Sequence, residues 1–439
     1  MFILAWLELT PLALAGPMEE GVAALRRGRI PEAEALLLQA VEASPDQVEA
    51  WWELGWAAWA GGRFAQAARA WSRVEALRPG YPDLSLWLAA ARTRAQLTAL
   101  IPEPHEVEVS PRGEPAIRIV AAGDTMMGSD LARPDRMPPG DGDVLFDGVR
   151  ELFVGADLAF VNLEGPLADA ISSDKCGEGS SSCYAFRTPT RFAATLDRAG
   201  IDVVSLANNH ALDLGVVGQQ STMDALAAVG IAHAGRYGDV ASLAAGPYTV
   251  AVVAAHSGTC CLSVNDLDEV QAAIVLADRD HDLVLFSFHG GAEGADHRHV
   301  TGETEIAWGE RRGNVRALAH AAVDAGADLV IGHGPHVLRA VEVYRGRLIA
   351  YSLGNFLGYE AFGRSRGYGR RTVVVEATLA ANGALSAARL HPMVLDDRAV
   401  PTPDPSGRAL ADVRELSAED LPDVPLTIED DGTLRWAAP

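Results

Sequence analysis

Five short apolar segments that read as buried strands each end in side chains that can bind a metal ion. The clearest is 201–206, which runs into Asn208-Asn209-His210 and then into a turn before a helix. In an open α/β sheet the ligand site lies at the carboxyl ends of the strands, so these groups are expected to converge. The other four pairs of segment and polar end are 117–122 with Asp124, 158–161 with Asn162 and Glu164, 283–288 with His289, and 329–331 with His333 and His336.

The side chains at these five ends are two carboxylates, several amides and four histidines. Asp, Asn and Gly are common at strand ends because they form turns, so any one segment alone favours an ordinary structural role. Five such ends in one chain favour a metal site. Oxygen ligands mixed with imidazole suit Mn, Fe or Zn better than Ca, and the absence of cysteine from these ends argues against a structural zinc site.

The order and spacing of six motifs resemble the CapA family, which is named for poly-γ-glutamate capsule biosynthesis and belongs to the calcineurin-like metallophosphoesterase superfamily. The resemblance covers about 117–395. The motifs are Gly-Asp at 123, Asn-Leu-Glu-Gly-Pro-Leu at 162, Ala-Asn-Asn-His at 207, His-Gly-Gly at 289, Gly-His-Gly-Pro-His-Val at 332 and Tyr-Ser-Leu-Gly-Asn-Phe at 351.

The resemblance implies an α/β domain, a metallophosphoesterase-like β-sandwich flanked by helices, with two divalent metal ions (Mn, Fe or Zn). By motif position the implied metal ligands are Asp124, Glu164, Asn209, His289, His333 and His336, and His210 is the implied catalytic residue. Substrate contacts are expected from Asn162, Arg187, Arg298 and Asn355, the arginines as anion clamps.

Two features depart from the superfamily pattern. Met126 stands where the first motif usually carries a ligand histidine, and His333 and His336 are three residues apart instead of two. Both departures bear on whether every metal position is filled, and hence on catalysis.

Residues 18–98 form an alanine-rich region with helical periodicity and a 34-residue repeat. Gly21 recurs as Gly55, Leu37 as Trp71, and Pro45 as Pro79. This spacing resembles a tetratricopeptide repeat, with 84–97 as a capping helix. Two repeats are fewer than such modules usually need, so the small all-α module is expected to dock on the following domain or on a protein partner, burying Trp51 and Trp71. A plain helical hairpin is the alternative.

With 439 residues the chain is long enough for two or three domains, and its net charge of −23 restricts the partners it can have. Nucleic-acid binding is not expected, because no Lys/Arg block is present to neutralise phosphates. An anionic polymer would be repelled unless metals and local arginines offset the field.

The remaining segments predict the domain boundaries. Residues 1–17 are an apolar segment that resembles a signal peptide without its positive region, 99–115 is a linker, 116–396 is the CapA-like domain, and 397–439 is a polar tail. A hairpin is expected at 372–379 and 385–390, and a disulfide between Cys176 and Cys183. No segment is long enough to span a membrane. Export to the periplasm or cell surface is the favoured location, and the cytoplasm is the alternative.

These observations favour a metal-dependent hydrolase of the phosphoesterase type that acts in capsule or poly-γ-glutamate biosynthesis, with a phosphate ester or an anionic polymer as substrate. One alternative is a non-catalytic accessory or scaffold protein of a polymer synthase. Another is an amide hydrolase or transferase on poly-γ-glutamate, because both chemistries use a metal-activated water.

Overall fold

The computed structural model of the protein forms two compact units, Met1–Leu100 and Ile101–Pro439. The described residues are 16–26, 29–60, 63–82, 84–85, 87–88, 91–92, 95, 116–131, 137–176, 183–236, 239–258, 260–361 and 367–437. The expected linker and most of the N-terminal apolar segment therefore lie outside the described residues.

The first unit is helical, as the repeat predicts. Its helices are α1 (Pro17–Arg26), α2 (Ile30–Ala43), α3 (Val48–Ala60) and α4 (Phe64–Leu77). Each helix packs on the next along the chain. The described residues between 84 and 95 are helical too, in agreement with a capping helix, whose other residues lie outside the described set.

The 34-residue repeat corresponds to one packing contact made twice. A Cβ added to Gly21 in α1 would lie 2.7 Å from Leu37 in α2, and one added to Gly55 in α3 would lie 2.0 Å from Nε1 of Trp71 in α4. Each glycine therefore lets the next helix bring a large side chain against its backbone. Trp71 is fully buried, and its Nε1 donates a hydrogen bond to the Trp52 carbonyl (3.2 Å). Trp51 is only half-buried.

We predict that Gly55→Ala destabilises the helical unit by about 1–3 kcal/mol, because the added methyl group overlaps the Trp71 ring. Six of the nine tryptophans lie between 51 and 87, so tryptophan fluorescence during urea unfolding of the full chain reports mainly on this unit. Gln39→Ala, an exposed change on α2, should leave the transition in place. An unchanged midpoint for Gly55→Ala would contradict this packing.

The second unit contains two large sheets. The first has the order β17-β16-β15-β1-β2-β3-β4, with β14 pairing to β1, and the second has the order β12-β13-β11-β8-β6-β5, with β7 pairing to β6. The strands of the first sheet are β1 (Ile117–Met126), β2 (Leu158–Leu163), β3 (Val203–Ser205), β4 (Ala232–Ala234), β14 (Asn355–Gly358), β15 (Arg371–Leu379), β16 (Leu385–Leu395) and β17 (Pro401–Pro403). Those of the second are β5 (Ala241–Ala245), β6 (Tyr248–His256), β7 (Leu262–Ser263), β8 (Leu283–His289), β11 (Leu329–His333), β12 (Val341–Tyr344) and β13 (Arg347–Ala350). Two small hairpins are β9 (Glu305–Ala307) with β10 (Glu310–Gly313) and β18 (Leu426–Ile428) with β19 (Leu434–Trp436).

The two large sheets pack face to face around one apolar core, which contains Phe160 from the first sheet and Leu285 from the second. Helices cover the outer faces. They are α5 (Arg150–Val154), α6 (Ala193–Ala199) and α7 (Gly215–Ala228) on the first sheet, and α8 (Leu267–Asp280) and α9 (Val315–Asp324) on the second. The predicted α/β sandwich flanked by helices is confirmed.

Strand direction brings the predicted site to one edge of the sandwich. Strands β1 to β4 run parallel, and so do β6, β8, β11 and β13. Strand β1 changes partner at Gly123: it pairs with β15 before that residue and with β14 after it. A Cβ at position 123 would lie 2.0 Å from the Gly354 carbonyl oxygen, so only glycine allows this close approach.

The C-terminal segment from 397, predicted as a polar tail, contributes regular elements to the fold. It adds β17, helix α10 (Arg408–Asp420) and the hairpin β18–β19. Ala409, Val413 and Leu416 recur at helical spacing and are buried against the two large sheets. The many charged residues between them conceal this amphipathic pattern in the sequence. The predicted hairpin is present as β15 and β16.

The predicted disulfide between Cys176 and Cys183 is present, with a Cα–Cα distance of 5.6 Å. Across the part of the chain that the structure describes, no helix combines the length and the apolar character needed to cross a bilayer.

Candidate metal centre

The polar ends of five strands converge between the two sheets. Asp124 lies within β1, Glu164 follows β2, and Asn209 and His210 follow β3. In the second sheet His289 ends β8 and His333 ends β11, and the two are paired in register. Because register fixes which side chains stand side by side, the fold itself assembles this group.

Four of these residues form a compact cluster. Ligand atoms of Asp124, Glu164, His289 and His336 all lie within 4.8 Å of one another. His336 connects the two carboxylates, with Nδ1 2.9 Å from Asp124 Oδ2 and Nε2 3.6 Å from Glu164 Oε1. His289 Nε2 lies 3.3 Å from Glu164, and His333 Nδ1 lies 3.5 Å from Asp124.

Two buried amides orient Asp124. The Asn162 Nδ2 group donates to Asp124 Oδ1 (2.9 Å), and Asn208 Nδ2 donates to Asn162 Oδ1 (3.0 Å). Asn208 Oδ1 in turn accepts from the backbone N–H of His210 (3.1 Å). Asn162 is fully buried and both ends of its amide make hydrogen bonds, so it orients the Asp124 carboxylate, while its contact with a substrate stays a prediction.

The buried polar atoms of the cluster fit a cation. Among the described residues, no hydrogen-bond partner exists for either oxygen of Glu164, for Oδ1 of Asn209, or for either ring nitrogen of His289 and His333. Leaving a buried polar atom without a partner costs about 1–3 kcal/mol, so such atoms are rare unless a ligand satisfies them. Carboxylate, amide oxygen and imidazole are the donors that Mn, Fe and Zn accept.

Burial and the charges of neighbouring groups shift the pKa values of the side chains in this cluster. Burial raises the pKa of the Glu164 carboxyl to about 7 and lowers the pKa of His289 to about 3. Burial also opposes a charged His336, but the negative charges of Glu164 and Asp124 outweigh it and raise its pKa to about 10. Although burial favours a neutral Asp124, the imidazoles of His333 and His336 hold its pKa well below the usual range.

His210 belongs to a second group beside the cluster. Its Nδ1 lies 2.7 Å from Oδ2 of Asp213, whose side chain is fully buried. Lys175 forms an ion pair with the other oxygen of Asp213. The Phe186 ring packs on the imidazole at a centroid distance of 4.4 Å. Asp213 and Lys175 were not predicted; the sequence signal for Asp213 is its position three residues after His210.

His256 is a further histidine that the sequence analysis missed. It ends β6 in register with His289 of β8, so His256, His289 and His333 occupy three neighbouring strand ends. Its Nδ1 lies 2.9 Å from the His289 carbonyl oxygen, and burial lowers its pKa well below the usual range. With Asn209 it borders a cavity of about 530 Å³. The signal available in the sequence was a sixth apolar strand that ends in histidine.

The two arginines that were expected to contact a substrate both contact other groups of the protein. Arg187 bonds to Asp130 (2.7 Å) and to the Ile171 carbonyl (2.6 Å). Arg298 pairs with Asp412 (3.1 Å) and stacks on Tyr368 (3.6 Å). Arg187 is therefore held by groups of the protein, whereas Nε and Nη2 of Arg298 are buried without a hydrogen-bond partner among the described residues. The substrate contacts of both arginines stay predictions.

Asn355 and Met126 lie beside Asp124 in the first sheet. Asn355 is buried and pairs with Asp124 across β1 and β14, which places it at the cluster. Met126, at the position where the resemblance predicts a ligand histidine, accepts the Gly128 N–H through its sulfur at 3.0 Å.

A two-sheet α/β unit that gathers carboxylates, an amide and imidazoles at its strand ends defines a protein with a candidate metal centre. The family described as "Bacterial capsule synthesis protein PGA_cap" matches residues 118–360, which is more than half of the chain. The chain belongs to that family. Residues 18–82 and 53–98 match a tetratricopeptide repeat family, so the helical unit carries such repeats.

Curated relatives are 26–30% identical to this chain over the aligned residues. "PGA biosynthesis protein CapA" of Bacillus subtilis is 27% identical over 56% of this chain and 64% of its own length. "Capsule biosynthesis protein CapA" of Bacillus anthracis is 26% identical over 65% of this chain and 69% of its own length. "Probable polyglutamine synthesis accessory protein Rv0574c" of Mycobacterium tuberculosis is 30% identical over 54% and 66%. The chain thus spans about two thirds of the length of these relatives.

We predict that Asp124→Asn weakens metal binding by more than about 100-fold, because it removes a charge from the cluster and not only an outer hydrogen bond. Asn209→Ala should weaken binding less, by roughly 10–100-fold, since a neutral oxygen is lost. Asp282→Asn is the matched control, because Asp282 precedes the start of β8, at the opposite end of the strand from His289. Calorimetric titration with Mn²⁺ and Zn²⁺ measures all three variants. Equal affinities for Asp124→Asn and Asp282→Asn would contradict the site.

Proposed function

We propose that the protein is a metal-dependent hydrolase of the phosphoesterase type that acts in the synthesis of a capsule or poly-γ-glutamate polymer. The observation that carries the chemical part is the position of His210, directly after Asn209 and linked to Asp124 through the side chains of Asn208 and Asn162. The family description and the printed names of the relatives support the biological part.

The donor set suggests two divalent ions. Asp124, Glu164, Asn209, His289, His333 and His336 supply more donors than the four of a single tetrahedral site. Glu164 lies near both His289 and His336, so its carboxylate would be among the groups that hold such ions. When bound, such ions supply Lewis acidity and allow water to act as a nucleophile at neutral pH.

The protein supplies orientation and a proton. Asn162 and Asn208 fix Asp124 through the hydrogen bonds described above, so a ligand set is in place before any substrate arrives. Asp213 anchors Nδ1 of His210, which leaves Nε2 as the atom that gives a proton to the leaving group. The cavity of about 530 Å³ next to Asn209 supplies space for the substrate.

We predict that His210→Ala keeps its metals but loses turnover by about 10²–10⁴-fold, the usual contribution of a positioned acid or base. The assay uses metal-loaded protein with p-nitrophenyl phosphate, bis-p-nitrophenyl phosphate and γ-glutamyl-p-nitroanilide, which separates phosphate esters from the γ-glutamyl amide alternative. His281→Ala should behave like wild type. His281 precedes β8, at the opposite end of that strand from His289, and its ring bonds to Ser242 of β5. The proposal fails if metal-loaded wild type and His210→Ala are indistinguishable on every substrate.

A non-catalytic accessory role is the second candidate, and Met126 is the observation that favours it, because a thioether occupies the place of a ligand histidine. The name of the Mycobacterium tuberculosis relative describes such a role for that protein. In this case the tetratricopeptide repeats would recruit a polymer synthase. Polymer production in cells separates the two: deletion of 18–98 abolishes it and His210→Ala preserves it if the protein is a scaffold.

A further inference from the structure

Lys175 is the only lysine among 439 residues, and it lies against the His210–Asp213 pair. Its Nζ forms an ion pair with Asp213 Oδ1, donates to the Asn209 carbonyl oxygen (2.9 Å) and lies 3.5 Å from His210 Nδ1. The other cations of the side chains are all arginines. An ammonium is a compact point charge with three rotatable donors, whereas the guanidinium of arginine is larger and planar and holds its donors in a fixed fork.

Asp213 needs this charge. Its carboxylate is fully buried and already accepts the Phe186 N–H (2.7 Å) and pairs with His210 (2.7 Å) through one oxygen. A buried carboxylate is costly unless it is paired and hydrogen-bonded. The Lys175 side chain is 32% exposed, so packing alone does not hold it in place.

The Cys176–Cys183 disulfide joins the two segments that contact the His210–Asp213 pair. Cys176 follows Lys175 directly, and Cys183 begins the segment that leads to Phe186. Lys175 therefore reaches Asp213 from one side of the bridge, and Phe186 reaches both Asp213 and His210 from the other side. Ser173 adds a hydrogen bond from its hydroxyl to the Asp213 carbonyl (2.6 Å).

We propose that Lys175 is a positioning residue for His210, and that the Cys176–Cys183 disulfide makes this positioning dependent on the redox state. Reduction by a dithiol breaks the S–S bond and leaves two protein thiols, while the dithiol gives up two hydrogens and becomes a disulfide. The chain on either side of the bridge then gains freedom, and Lys175 leaves Asp213 for water. The kinetic consequence rests on the proposed hydrolase function, but the structural consequence does not.

The structural consequence is tested through the reactivity of the single lysine. Full-length protein is treated with N-hydroxysuccinimidyl acetate, and acetylation of Lys175 is followed by mass spectrometry, with the α-amino group as internal reference. Hydrogen bonds shield Lys175 in the oxidised protein, so we expect acetylation at least about 10-fold faster after reduction with dithiothreitol, given that exchange of a shielded group tracks its open population. The Cys176→Ser/Cys183→Ser variant should react at the fast rate without reductant. Equal rates in all three samples would overturn the proposal. So would free thiols at Cys176 and Cys183, in addition to those of Cys260 and Cys261, in protein purified without reductant.

The kinetic consequence is tested with metal-loaded protein on the substrate that His210 serves best. Lys175→Met should lower kcat by about 10–10²-fold with a small change in KM, because a misplaced catalytic group costs rate more than binding. Lys175→Arg, which keeps the charge, should fall between wild type and Lys175→Met. Reduction should lower the kcat of wild type to a similar extent. It should change the kcat of Lys175→Met by less than about twofold, because reduction and the substitution both remove the contact of Lys175 with Asp213.

Two outcomes separate failure of this inference from failure of the proposed function. If wild type hydrolyses none of the substrates, the proposed function fails, and the acetylation rates still decide whether the disulfide holds Lys175. If wild type is active but Lys175→Met equals it, or if reduction and Lys175→Met have additive effects, the positioning role is refuted. The Cys260→Ser/Cys261→Ser variant must keep its response to reductant, because loss of that response would assign it to the two free cysteines.

Discussion

Two buried carboxylates that face each other across a set of imidazoles are the constraint on which the rest of the second unit depends. Asp124 and Glu164 are fully buried, and His289 and His333 beside them are nearly so. Burial in a low-dielectric interior makes such a group unstable without a compensating charge, so it persists only because the strands hold it rigidly. The close approach at Gly123, the amide relay through Asn162 and the register of β8 with β11 all serve that purpose.

The sequence was sufficient for the features that strand direction and local pattern determine. Asp124, Glu164 and His289 were recognisable because each ends or follows an apolar segment, and parallel strands bring such ends together. The repeat in the helical unit was equally recognisable in the sequence, because a glycine and the large side chain that packs on it recur 34 residues apart. In both cases a short-range signal coincided with the packing that the fold later uses.

Contacts between residues that are far apart in the sequence could not be predicted from such local patterns. Lys175 and Phe186 meet Asp213 from two sides of a bridged loop, and no local pattern encodes that meeting. Arg187 and Arg298 look like free cations in the sequence, yet their partners Asp130 and Asp412 are 57 and 114 residues away. Helix α10 was missed because its apolar residues are interrupted by charges, one of which, Asp412, the fold buries in ion pairs with Arg298 and Arg371.

The three histidines at neighbouring strand ends, His256, His289 and His333, are aligned only by the hydrogen-bonded register of β6, β8 and β11. A slip of one residue would turn each of them to the opposite face of the sheet. The inner faces of the same strands carry Val252, Leu285 and Ile331, which fill the core between the sheets. Packing in the core therefore controls the order of these three histidines: a cavity made deep in the sandwich would disorder the imidazoles while the sheets themselves remained folded.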